Sequence, residues 1–365
     1  MLALVFALIG CHSSRSALPA QESGKSPTEN IDGNYDDAQV ELPPELLLYP
    51  PGSQLPVSAF GEVWAYLVSG REQALDNNYP ISDLCYFGAD VDSYGKLCDV
   101  PNFRNLAGFA ALSAASGQAN GPARRLHLVS ACGGRALTHF VLAEGSRERR
   151  ELIRDLLEAA KPYHGLQIDY ENVPARDGEA FLSFLRELRA GLGGKMLSVA
   201  LPARTRVIKD DVYDYEKIKP IVDRILVMAY DEHWSTSEPG PIASMGWCQR
   251  VANHAVGIIG GEKLIMGLPF YGRSWGSVNA NKAYLHSGIE ELMQERNIAD
   301  IRRENGIPTF NYEFPLSVTV YYEDDYSLSA RLEMYKRLGV GSVGFWRLGQ
   351  ETPAFWPLIR LEKNN

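Results

Sequence analysis

The 365 residues are 45% hydrophobic and 22% charged, an ordinary globular balance that excludes a chain disordered throughout. A net charge of −9, with no Lys/Arg-rich stripe to release phosphate counterions, argues against a nucleic-acid partner and leaves a neutral polymer admissible. The length suits one large α/β barrel with an appendage better than several small domains.

The chain opens on MLALVFALIGC (1–11), an apolar run too short to span a bilayer as a mature helix but suited to a signal segment. Its end, Leu8-Ile9-Gly10-Cys11, resembles a bacterial lipobox, so Cys11 is expected to carry a lipid, anchoring an exported protein at the membrane. Residues 12–57 are rich in Ser, Pro, Glu and Gln without a sustained apolar period and read as a flexible tether. The remaining cysteines, Cys85, Cys98, Cys132 and Cys248, match no zinc spacing. Export would permit a Cys85–Cys98 bridge, but four cysteines allow three pairings.

From residue 58 to about 360, apolar runs alternate with amphipathic stretches. The runs are 62–68, 83–91, 125–134, 165–173, 196–203, 224–234, 264–275 and 342–349. Between them, segments such as 146–163 and 177–192 place apolar residues three and four apart with charges opposite. Strands alternating with helices in this number close into a (β/α)8 TIM barrel; no Gly-rich phosphate loop after the first strand favours an open nucleotide-binding sheet. After Trp275 the connection is too long for a simple loop and predicts a small α+β insertion at about 276–318, on the face where strand-to-helix loops wall a cleft.

The chemistry concentrates in GLQIDYENV. Strand alternation sends Leu166, Ile168 and Tyr170 one way and Gln167, Asp169 and Glu171 the other, so two acids share a face with an amide. At the carboxyl end of a barrel strand that face is interior, where burying two carboxylates is costly without a purpose. Glycosidic cleavage supplies one, since one acid protonates the leaving oxygen while another stabilises the positive centre. Gln167 is placed to donate a hydrogen bond to Asp169 and favour its charged form.

This segment resembles the fourth-strand motif of family 18 glycoside hydrolases, Asp-Gly-x-Asp-x-Asp-x-Glu. The likeness extends through MAYD (228–231), LPFYGRSW (268–275), Gly133-Gly134 and GFWRLG (344–349), covering most of the chain beyond the tether. It implies Glu171 as proton donor, Asp169 as its assisting acid, and Tyr230 as the tyrosine that holds the substrate's acetamido group. Asp231, Tyr271 and Arg273 would line the cleft, and Trp346 would floor the reacting sugar's subsite. The implied reaction is retaining and substrate-assisted, with the acetamido oxygen as nucleophile, on β-1,4 bonds of an N-acetylglucosamine-containing polysaccharide, chitin-like or peptidoglycan. No cofactor is implied, and a monomer is expected. Two departures stand out: His164 and Gln167 replace the motif's first two aspartates. An amide at the second position is similar to spore-cortex and other peptidoglycan-cleaving members. The alternative is a non-catalytic, chitolectin-like sugar-binding barrel; Glu at 171 favours an enzyme. Trp234, Trp247 and Trp275 are further candidate sugar platforms, whereas His164 and His233 stand at no metal-ligand spacing, so no metal site is expected.

Overall fold

The computed structural model describes residue 49 and residues 52–106, 108–109, 124–276, 282–314 and 316–362. The apolar leader with Cys11, and the tether as far as residue 48, lie outside the described residues. Eight parallel strands close into a barrel: Glu62–Val68, Asp83–Val91, Arg125–Cys132, Gly165–Tyr170, Met196–Pro202, Arg224–Met228, Leu264–Pro269 and Ser342–Trp346. The last of these pairs with both the first and the seventh, and the first pairs with the second, so no edge is left open. The TIM barrel expected from the alternating runs is the observed fold.

Parity along the strands makes two cores. On the first strand, Trp64 and Tyr66 turn into the barrel to join Cys85, Phe87, Val129, Ala131, Ala200, Leu226 and Ile265. Val63, Ala65 and Leu67 turn outward into the layer covered by helices. The helix Arg147–Ala159 shows why that layer forms. Ser146 caps it by accepting from the Arg149 amide at 3.1 Å, and Leu152, Ile153 and Leu156, three and four residues apart, are its buried apolar face.

The second strand breaks this alternation once. Its register against the third strand shifts between Phe87 and Ala89, around Gly88 at φ 153°. A side chain at Gly88 would meet the Ser69 Cβ at 3.0 Å and the Pro101 Cγ at 3.2 Å, so the bulge depends on glycine. Beyond it Ala89 and Val91 face the helices, and Asp90 faces the interior beside Ala131.

At the amino ends of the strands, charged residues interlock. Arg125 donates to Glu62 at 2.6 Å and to both oxygens of Asp83 at 2.6 and 2.8 Å, while Arg224 holds Glu62 at 2.7 and 3.0 Å. His127 reaches Asp83 at 2.8 Å and stacks on Trp64, ring centres 4.5 Å apart. Burial alone would raise both acids, but hydrogen bonds from Arg224 and Arg125 to Glu62, and from His127 and Arg125 to Asp83, outweigh it and hold both below the usual carboxylate range.

Between the seventh and eighth barrel strands lies a five-stranded antiparallel sheet, ordered Lys282–Tyr284, Gly272–Gly276, Leu316–Tyr321, Ile307–Phe314 and Arg302–Glu304, with the helix His286–Glu295 against it. It is wider than the expected 276–318, because the run 264–275 is two strands rather than one. The Phe270 amide makes the last ladder bond to the barrel, 2.8 Å to the Trp346 carbonyl, and from Gly272 the chain pairs with Tyr284 and from Arg273 with Tyr321 and its neighbours instead. Cys85 and Cys98 are not bridged: Cys85 lies inside the barrel, whereas Cys98 pairs with Asp90, five residues further along the same strand. Cys132 and Cys248 are also free thiols. Among the described residues no helix is long and apolar enough to cross a membrane.

Candidate active site

The fourth strand carries its polar face inward, as its alternation requires. Gln167 and Asp169 are buried, and Glu171 stands just past the strand's end, partly buried, its amide bonded to the Cys132 carbonyl at 2.9 Å. Asn172, at φ 59°, turns the chain out of the strand immediately afterwards. A residue from another loop fixes that turn. The Tyr213 hydroxyl donates to the Tyr170 carbonyl at 2.9 Å and accepts from the Val173 amide at 3.0 Å, clamping the backbone on both sides of Glu171.

The structure corrects one expectation. Gln167 does not donate to Asp169: its oxygen accepts from the Tyr66 hydroxyl and its amide donates to Ser198 at 3.2 Å, across strands one and five. Both ends of the amide are thereby used, and Gln167 is fully buried, so it serves the barrel interior and not a sugar. Asp169 is left with one buried oxygen, Oδ1, that meets no partner.

The acids are perturbed as an unpaired buried group should be. Burial, then the charge of Asp90, pushes Asp169 up; burial, then the charges of Asp169 and Asp231, pushes Glu171 up. Two such carboxyls in one site cannot both ionise easily, so the pair retains a proton near neutral pH. Tyr230 stays protonated, since burial and then the charges of Asp169 and Glu171 raise it well above its ordinary value. Its hydroxyl is therefore available as a donor.

Tyr230 and Asp231 follow the sixth strand, and Asp231 adopts φ 56°. Gly267 on the neighbouring strand makes room for the Tyr230 ring, for a Cβ there would lie 2.9 Å from the Tyr230 Cε1. Asp231 Oδ1 accepts from the Tyr271 hydroxyl at 2.6 Å and from Arg273 at 2.8 and 3.0 Å. Tyr271 and Arg273 are themselves 5% and 7% exposed, so their observed work is to hold Asp231 rather than to present a surface to sugar. Trp346, partly exposed, packs on Tyr66 and Phe87 with ring centres at 5.4 and 5.1 Å and lies at the floor of the same interior.

The remaining aromatic candidates separate. Trp275 is buried against Tyr321 and donates to the Trp234 carbonyl at 3.2 Å, so it is not a sugar platform, and Trp247, partly exposed, packs against the layer between strands and helices. Trp234, with its indole bonded to Thr236 at 2.9 Å, stays partly exposed in the loop after the sixth strand. His164 accepts from the Leu126 amide at 3.0 Å at the opposite end of the fourth strand, and His233 bonds the Pro241 carbonyl at 2.8 Å. Both are structural. Among the described residues no group of acids, histidines and cysteines is arranged to hold a metal ion.

Sequence reasoning missed Asp90 and Tyr213. A glycine inside the second strand was the available signal for the bulge that turns Asp90 inward. Nothing local in VYDYEK marks Tyr213 as the clamp on the fourth strand.

Residues 107–351 match the sequence model of glycosyl hydrolases family 18. Over 240 residues the chain is 32% identical to the putative sporulation-specific glycosylase YdhD of Bacillus subtilis (strain 168), covering 61% of this chain and 56% of that protein. It is 28% identical over 240 residues to the cortical fragment-lytic enzyme of Bacillus anthracis, covering 61% and 55%. The matched part thus spans little more than half the length of these relatives. In fold it resembles the spore cortex-lytic enzyme SleL of Bacillus cereus, with a TM-score of 0.69 at 24% identity over 87% of this chain and 78% of that one. It also resembles a class V chitinase from Pseudomonas fluorescens Pf-5, with a TM-score of 0.69 at 22% identity over 82% and 98%.

Proposed function

This chain belongs to family 18 of the glycosyl hydrolases, and from that premise we propose that it hydrolyses β-1,4 bonds at N-acetylglucosamine residues of an envelope or chitin-like polysaccharide. The carrying observation is the pair of acids without a cation at the carboxyl end of the fourth strand, Asp169 buried and Glu171 partly buried. Glu171 keeps its proton there and can deliver it to the leaving glycosidic oxygen. Asp169 and the Tyr230 hydroxyl face the same space, placed to hold and orient an acetamido group whose oxygen attacks the anomeric carbon. The sugar thereby supplies the nucleophile, the product retains its configuration, and water opens the oxazolinium ion with Glu171 acting as base. A sugar-binding barrel without catalysis gains nothing from enclosing two acids without a cation, and bears the cost.

The names of the more similar relatives, a sporulation-specific glycosylase and cortical fragment-lytic enzymes, favour peptidoglycan over chitin as the polymer. Mass spectrometry of products from purified peptidoglycan and from chitooligosaccharides tests both substrate and bond. Cleavage of neither overturns the proposal; cleavage of chitooligosaccharides alone moves the substrate to chitin. Glu171→Gln should fold and lose at least about a hundredfold in turnover, the usual contribution of a positioned general acid. Near wild-type turnover would remove Glu171 from that role.

We also propose that Cys11 is lipidated, holding the barrel at a membrane by its tether; the support is the apolar run ending in Leu-Ile-Gly-Cys. Cys11→Ser should shift the protein from the detergent phase to the aqueous phase, and unchanged partitioning counts against the anchor.

A further inference from the structure

Gln167 is fully engaged by Tyr66 and Ser198, so the position next to Asp169 on its own strand gives that acid no partner. The register across the barrel points to another. Asp90 pairs with Ala131, and Ala131 pairs with Asp169, so the two carboxyls stand at one level on the second and fourth strands. Ala131 faces the barrel interior, so the residue between the two acids is one with no more than a methyl group. Each acid has one buried oxygen, Oδ1, without a hydrogen-bond partner. Two buried acceptors that lack donors, at paired positions on either side of one alanine, are satisfied together if a proton lies between them, directly or through one water.

We infer that Asp90 is the carboxyl partner of Asp169, a positioning residue brought inward by the bulge at Gly88 that shares a proton with Asp169 across Ala131. It acts through Asp169 and touches no substrate. The sharing keeps Asp169 oriented and sets the pH at which it becomes an anion. The inference rests on the reading of Asp169 as the assisting acid.

The electrostatic surroundings agree with this pairing. Burial, then Asp99, raises Asp90 to about 6, and after burial Asp90 is the charge that raises Asp169. The other groups facing Asp169 are Glu171 just past the end of its own strand, Tyr66 on the first, Cys85 on the second, Tyr230 after the sixth, and Tyr213 from the loop after the fifth. Around Asp90 stand Asp99, Cys98 and Cys132. No cation is among the groups acting on either acid, so a shared proton is the counter-charge the described residues offer.

The test is the 13C titration of the side-chain carboxyls in the Glu171→Gln protein, which removes the third acid and requires no substrate. In that protein Asp90 and Asp169 should titrate as a coupled, two-step pair. Asp90→Asn should lower the Asp169 midpoint by on the order of one pH unit, because a neutral neighbour no longer opposes its ionisation. Asp90→Glu should restore the higher midpoint, and Asp99→Asn, at an exposed position and acting only through Asp90, should move it by far less than Asp90→Asn does. With Glu171 intact, the acidic limb of kcat/KM on a chitooligosaccharide should move down in Asp90→Asn by the same amount. Independent one-step curves overturn the inference even if the Asp90 variants do not fold, and so does an Asp169 midpoint that Asp90→Asn leaves unmoved or that Asp99→Asn moves equally. Because the titration reads pairing without turnover, inactivity on every polysaccharide would sink the functional proposal and leave this result standing.

Discussion

The two ends of the barrel treat their carboxylates in opposite ways. At the amino ends of the strands, Asp83 is buried and Glu62 half-buried, and both are matched by Arg125, Arg224 and His127 within 3.0 Å. At the carboxyl ends, Asp90, Asp169 and Glu171 are buried or half-buried without one cation, and the cation nearest in role, Arg273, is spent on Asp231. The same cylinder supports both because its strands supply inward positions at each end, and the residue types placed there decide whether burial is compensated or kept as chemical tension. The lower end can be read as closure. The upper end pays in stability for acids that hold protons where water would not let them.

Removing a cation from the matched end should have the largest effect. Arg125→Ala leaves Glu62 to Arg224 and Asp83 to His127 alone, and should cost about 3 kcal/mol, the lower limit for a buried pair broken from one side. It is measured as a fall in the urea midpoint, and a loss below about 1 kcal/mol would show this network to be only a surface ornament. Its pH dependence follows from the lowered acids. The contribution is fully present above their unfolded values near about 4 and is lost as pH falls through the lower folded values.

An intermediate effect is expected at the hinge between strand and catalytic acid. Tyr213→Phe leaves the Tyr170 carbonyl and the Val173 amide without their partner, at a cost of about 1–3 kcal/mol. Because Glu171 lies between those two groups, kcat should fall about tenfold with KM little changed, as for a misplaced acid. An unchanged kcat would show that Glu171 is positioned without the clamp.

The smallest effect reverses the sign. Glu171 is raised, so the folded state holds its proton to higher pH than the unfolded chain does. The penalty is absent below the unfolded value near about 4 and grows as pH rises toward the folded one. Glu171→Gln should therefore raise the Tm by a few degrees, about 1 kcal/mol, at pH 8 and by almost nothing at pH 4. A variant equally stable to wild type at both values would mean that the upper end is not strained by its charge.

Much of this contrast can be read from sequence, but unevenly. Strand parity is a local rule, and it correctly placed Asp169 and Glu171 on one inward face. The eight runs and their helices were likewise legible, since each rests on spacing within a few residues. What failed was anything decided between strands. Gln167 was paired with Asp169 because they are neighbours in sequence, whereas its partners, Tyr66 and Ser198, come from the first and fifth strands. Asp90 was invisible because strict alternation along DLCYFGADV faces it toward the helices; the bulge at Gly88 undoes that parity. Trp275 and Tyr271 resembled cleft aromatics by position, but the strand carrying Trp275 belongs to the inserted sheet, and there the ring is consumed in packing.

The joint between barrel and insertion limits how the chain could be taken apart. Tyr271 and Arg273 sit where the chain leaves the seventh strand for the five-stranded sheet, yet both bind Asp231 at the cleft. The insertion is therefore not an interchangeable cassette whose seam can be cut at the last barrel residue. A chimera that swaps in another loop from residue 270 onward would also remove the two donors that orient Asp231, and would read as a catalytic defect although no acid had been altered. A graft that keeps 271–273 and Tyr321 and exchanges only what lies between them would leave the cleft its anchors. Natural variation in substrate reach could accumulate in that inner stretch without disturbing the chemistry beneath it.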